Sequence, residues 1–226
     1  RGADFGPEAR AAAAREREER CRLAVLPSWT VESVTATAHR AGPAGRSSGA
    51  GMAGEPEAGM AWGRLVHALV ERAARGARRD RAFLERLAGW FTVNDPELRR
   101  MVPEALETVE RIMGSEFWRR AMESGERLAE VPFAVGVGRE EGAPEVLSGV
   151  IDLALRFPGG WELVDYKTDQ ADVAGLVDRY GDQVRAYARH WAGLTGAPVS
   201  YAGLYGIRAG QLSRNLAEPV SSEGDD

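Results

Sequence analysis

Cysteine is almost missing from this chain: Cys21 is the only one in 226 residues. An intrachain disulfide and a four-cysteine zinc or iron–sulfur centre are therefore excluded. Such usage fits a cytoplasmic location. Lysine is as scarce. Of 29 basic residues all but Lys167 are arginine, and the dipeptide Gly-Lys does not occur. A Walker A loop needs that dipeptide, so this chain alone is not a P-loop ATPase. No apolar run reaches 18 residues, which argues against a membrane span. The charged, Ala-rich opening from Arg1 to Arg20 lacks the apolar stretch of a signal peptide. It also begins without Met, as a fragment or a processed piece would.

What is present suits one globular domain with a real core: 44% of residues are hydrophobic and 28% charged. The net charge of −5 weighs against a generally basic nucleic-acid binder, but not against a local basic groove, and acidic clusters are what a magnesium site requires. The lone Lys167 leaves two readings open. It stands where a compact ammonium is needed and a planar guanidinium does not serve, or it survived by chance on a surface strand.

Along the chain, residues 7–25 read as a charged helix, and 1–25 as a helical extension. Residues 26–58 read as a flexible linker rich in Pro, Gly, Ser and Ala. Within it, Trp29 to Val34 is a short strand or a docking segment. The ordered domain is expected over 59–212, with a disordered acidic tail at 213–226. Apolar spacing predicts helices at 61–75, 80–91 and 96–114, the last capped by Asp95 with Pro96 in its first turn, and a further helical turn at Phe117 to Met122. The period then changes. Strands are predicted at 128–137, 146–157 and 161–168, a helix at 173–193 and a last strand at 199–207. Helices, a β-meander, a helix and a strand make a mixed α/β domain.

The turn signal Pro158-Gly159 sets a register. If those two residues turn the chain, Phe157 pairs with Gly160, and Asp152 falls opposite Asp165 with Cβ atoms about 5 Å apart. Two carboxylates so placed repel, and each sits in an apolar strand, VIDLAL and ELVDYK. A hard divalent cation would resolve the conflict. Lys167, two residues beyond Asp165, shares its face. The competing reading is an ordinary Asp165–Lys167 ion pair beside an unrelated Asp152.

Gly149-Val-Ile-Asp152-Leu followed by Asp165-Tyr-Lys167-Thr168 resembles the PD-(D/E)xK core of the nuclease domains in RecB/AddA-type helicase–nucleases. Three further segments match in order: Gly63-Arg-Leu-Val-His67, Glu130-Val-Pro-Phe133 and Gln183-Val-Arg-Ala-Tyr187. The resemblance spans roughly residues 60–207. It implies a restriction-endonuclease-like core, a mixed central sheet flanked by helices. It further implies a metal-dependent deoxyribonuclease using Mg²⁺ or Mn²⁺, with Asp152, Asp165 and Lys167 catalytic. The metal would be held by His67, Asp152, Asp165 and the carbonyl of Tyr166.

The residues alone allow a blander view of some positions. His67 lies among apolar helix neighbours, as a core histidine does. Gln183 and Tyr187, one helical turn apart, are either a core stripe with one polar intruder or a cleft wall touching DNA phosphates. Glu130 reads as structural, or as supporting the ligands from behind. By analogy with such domains, the expected setting is the nuclease part of a longer helicase chain, working with a second subunit in double-strand-break repair by recombination. The alternatives are a free-standing repair or restriction-type nuclease and a non-catalytic DNA-binding scaffold.

Overall fold

The order of elements is the predicted one. A computed structural model describes residues 8, 12, 15–18, 30–33, 55–137 and 145–217. Of the predicted helix at 7–25, residues 8, 12 and 15–18 are helical, and the remainder lies outside the described residues. Strand β1 is Thr30–Ser33. Five helices follow: α1 Glu55–Arg75, α2 Arg81–Phe91, α3 Pro96–Arg100, α4 Val102–Met113 and α5 Glu116–Met122. Then come β2 Glu126–Val137, β3 Glu145–Phe157, β4 Gly160–Lys167, α6 Val173–Thr195, β5 Val199–Gly206 and β6 Gln211–Leu212. The fold is α/β, a mixed sheet with helices on both faces.

Three details differ from the sequence reading. Residues 30–33 and 55–58, inside the span expected as linker, form a strand and the first turn of α1; the rest of that span lies outside the described residues. The helix expected at 96–114 is two, because Pro103 lacks the N–H that would continue the ladder, and the chain re-enters a helix after Met101. Residues 213–217, expected in a disordered tail, pack on β5. Ser213 N–H donates to the Leu204 carbonyl, the Asn215 side chain accepts from Ala202 N–H, and Leu216 is buried. Residues 218–226 lie outside the described residues.

The sheet runs β1-β3-β4-β5-β6, with β2 on the other edge of β3. The meander β2–β3–β4 is antiparallel, while β1 joins β3 and β5 joins β4 in parallel. On the edge of β3 away from β2 the partner changes. Residues 145–148 pair with β1 and 153–157 pair with β4. Gly149 to Asp152 therefore sit in a gap between two partners.

Two apolar layers sandwich the sheet. Helices α1, α2, α4 and α5 cover Ala129, Leu153, Leu155, Val164 and Tyr166. Helix α6 covers the other face, including Phe133, Ile151, Ala154 and Leu163. Strand alternation breaks at one level on two strands. On β3, Ile151 belongs to the α6 layer but Leu153 to the opposite one; on β2, Val131 packs with the α6 layer and Ala129 against the other. Between them lie Asp152 and Glu130, and Glu130 has a left-handed backbone (φ 49°). Non-glycine residues rarely adopt that conformation. The two strands thus twist over together at one point without losing register.

Gly149 explains how α6 is seated. It lies opposite Phe133, and a Cβ there would fall 2.8 Å from the Phe133 ring and 2.9 Å from the Tyr187 ring. These two buried rings meet edge to face at 5.5 Å. A Gly149→Ala variant is expected to lose about 1–3 kcal/mol of stability through overpacking, read as a lower midpoint in chemical denaturation.

Candidate active site

The predicted register holds: Phe157 pairs with Gly160 and Leu153 with Val164. The ladder ends one step before the two aspartates. There the Tyr166 N–H donates to the Asp152 carboxylate at 2.6 Å, a side chain of β3 standing in for its backbone. Asp152 and Asp165 are both buried.

Helix α1 reaches this point because Gly63 lets it approach. A Cβ on Gly63 would lie 2.8 Å from the Thr168 hydroxyl, at the residue following Lys167. One turn further along α1 (four residues on), His67 meets the carboxylates. Its Nδ1 is 3.6 Å from Glu130 and 3.7 Å from Asp152, and its ring stands edge-on to Tyr166 at 5.8 Å. His67, Glu130 and Asp152 each offer one ligand atom within 4.8 Å of the others.

Lys167 completes the cluster, its ammonium 2.7 Å from Asp165. The cleft holds about 570 Å³ and is lined by His67, Glu130, Tyr166 and Lys167 among others.

The electrostatics follow from crowding charge into a nearly dry space. Burial, then the Asp165 charge, pushes the Asp152 carboxyl up to about 7, against the opposing pull of His67 and of the Tyr166 N–H. Burial works to lower the His67 pKa, but its hydrogen bond to Glu130 and the charges of Asp152, Glu130 and Asp165 outweigh it and hold the value above the ordinary one. Burial likewise opposes charge on Lys167, and Asp165 with help from Asp152 reverses the balance, raising its pKa. Buried nitrogen and oxygen donors with one carboxyl resisting ionisation form a donor set that suits a small divalent cation.

Sequence reading undervalued Glu130. The signal was available: in the same pairing, Ala129 opposes Leu153 and Val131 opposes Ile151, so Glu130 stands across from Asp152. Its unusual backbone is held by Arg75, whose guanidinium donates to the Ala129 carbonyl (Nε at 3.1 Å) and to the Glu130 carbonyl (3.4 Å), and pairs with Glu71 at 3.1 Å.

Gln183 and Tyr187 fall elsewhere than the expected phosphate contacts. Both are buried, and the Gln183 amide donates to the Tyr187 hydroxyl at 2.8 Å. Packing of Phe133 and Tyr187 over Gly149 draws this pair under the sheet instead of into the cleft.

A profile of the PD-(D/E)XK nuclease superfamily matches residues 44–219. The chain belongs to this superfamily. Within this nuclease superfamily, its similarity to curated proteins is narrower. It is 30% identical over 122 residues to the AddA protein of the ATP-dependent helicase/nuclease of Levilactobacillus brevis, covering 47% of this chain and 10% of that protein. The AddA proteins of Geobacillus kaustophilus and Carboxydothermus hydrogenoformans are each 32% identical. The first match covers 42% of this chain and 9% of the relative, the second 50% and 10%. The chain thus spans about a tenth of the length of these relatives.

Two outcomes are expected of this PD-(D/E)XK site. Because the Asp152 pKa is raised, its protonated form suits the metal-free fold. That contribution is present at low pH and is lost as pH rises through about 7. Mg²⁺ or Mn²⁺ should therefore raise the melting temperature more at pH 8 than at pH 6; an equal rise at both would contradict it. Removing the Arg75 guanidinium by Arg75→Ala should cost about 1 kcal/mol and also weaken metal binding in calorimetry, since it releases the backbone that aims Glu130.

Proposed function

We propose that this domain hydrolyses phosphodiester bonds in DNA with a divalent cation, Mg²⁺ or Mn²⁺, as the nuclease part of a helicase–nuclease. The observation that carries the reading is the grouping of His67, Glu130 and Asp152 donors beside the Asp165–Lys167 pair in one cleft. In this reading His67, Asp152, Asp165 and the carbonyl of Tyr166 hold the ion, and Glu130 stands next to it as a further ligand or as the partner that orients His67. A bound cation would supply an acidified water and a polarised phosphate oxygen.

The side chains do the remainder. Lys167 places a positive charge where the phosphate oxygens gather charge, and it can orient the attacking water. Tyr166 N–H fixes the Asp152 carboxylate, so that ligand meets its ion without reorganising. The half-buried His67 keeps its Nδ1 towards the two carboxylates.

The names of the relatives support a setting with a helicase region in the same chain and a second subunit, working at broken DNA ends in recombinational repair. Among the described residues no helix is long and apolar enough to cross a membrane.

Degradation of linear single- and double-stranded DNA in Mg²⁺, by this chain and by its Asp165→Ala and Lys167→Ala variants, tests the reading. Wild type should cut only with metal, and each variant should be slowed by about 100-fold or more. Lys167→Ala should keep its metal affinity. A Lys167→Ala protein cutting at the wild-type rate would remove Lys167 from the mechanism.

A further inference from the structure

We infer that Tyr180 is a positioning residue for Lys167: the face of its ring holds the ammonium inside the cleft when Asp165 is engaged elsewhere. The inference deepens the nuclease reading and rests on it for its kinetic consequence, though not for the contact itself.

Lys167 has two partners, on different elements. Asp165 is 2.7 Å from its ammonium, and the Tyr180 ring centroid is 4.5 Å from it. In the metal-bound state the first partner is compromised. A carboxylate that ligates a cation has less charge to offer, and the cation repels the ammonium. A lysine stem is long and flexible, so without a second hold the ammonium would leave for solvent. The attraction of an aromatic face for a cation does not involve Asp165, and it is strongest where water is scarce. Lys167 is mostly buried, with 17% of its side chain exposed.

Tyr180 is itself fixed. It projects from α6, the helix seated over the sheet by the close approach at Gly149. Its hydroxyl donates to Asp169 at 3.1 Å, and Asp169 is paired with Arg179 at 2.6 Å. The hydroxyl is thus committed to the segment that follows β4, and the ring face is what meets Lys167. Tyr180, Lys167 and Asp169 all line the cleft. A phenylalanine should therefore hold the ammonium as tyrosine does, whereas an aliphatic side chain should not.

Because Lys167 is the sole lysine, protein grown on ¹³C-lysine gives a single ε-methylene signal. The test follows that signal with and without Mg²⁺ in wild type, Tyr180→Phe and Tyr180→Leu, with Tyr180→Met in place of leucine should the latter unfold.

The ring should shift the signal upfield in wild type and in Tyr180→Phe, and the shift should persist with Mg²⁺; in the aliphatic variant it should move to the position of a free lysine. In parallel, Tyr180→Phe should keep kcat within about threefold. The aliphatic variant should lose roughly tenfold in kcat with the KM for DNA unchanged. An unshifted wild-type signal, or an aliphatic variant with full kcat, would overturn the proposal. So would a phenylalanine variant as slow as the aliphatic one, since the hydroxyl tether would then be the operative part. If wild type cuts no DNA the nuclease reading fails, while the lysine signal still decides whether Tyr180 holds Lys167.

Discussion

Two carboxylates forced into a gap between strands, with little water to screen them, set the conditions for the rest of this structure. Asp152 and Asp165 are buried close enough that one resists ionisation. Surrounding features answer that repulsion. The Tyr166 N–H and His67 act on Asp152, and the Lys167 ammonium acts on Asp165. Such a cluster is costly as an apolar fold element. It is economical as a socket for a doubly charged ion, which relieves every one of these conflicts together.

The sheet makes the gap. Strand β3 changes partner along one edge, from β1 to β4, and the four residues between are released from pairing on that side. At the same level β2 and β3 twist together, so the layer facing each helix group changes. Helix α1 can then bring His67 from one side of the sheet while Tyr180 of α6 meets Lys167 from the other. Glycines set both approaches: Gly63 against Thr168, and Gly149 beneath Phe133 and Tyr187. Each is a glycine because a methyl group there would push a helix away from the site it helps to build.

Much of this was legible in the residues. The Pro158-Gly159 turn fixed the hairpin register, and with it the closeness of Asp152 to Asp165. Alternation put Lys167 with Asp165. The period of apolar residues separated helices from strands, and its main error, one helix for two at 96–114, came from discounting Pro103. What stayed hidden depends on backbone twist and on return paths through space. Glu130 looked like a supporting strand residue because strand pairing alone does not reveal that its backbone turns left-handed beside a ligand. Gln183 and Tyr187 share a helix face as their spacing requires, but spacing cannot say whether that face meets solvent or the sheet.

By itself, the sequence determined the chemistry available: two acids, one compact ammonium, one histidine and the turn that aligns the first two. Local rules of pairing and alternation act over a few residues, so a linear reading can apply them. Only the tertiary structure decided which groups share the dry space. His67 and Glu130 are 63 positions apart along the chain and within 3.6 Å in the fold. That meeting depends on a strand edge changing partners and on helices closing over glycines, and both are properties of packing.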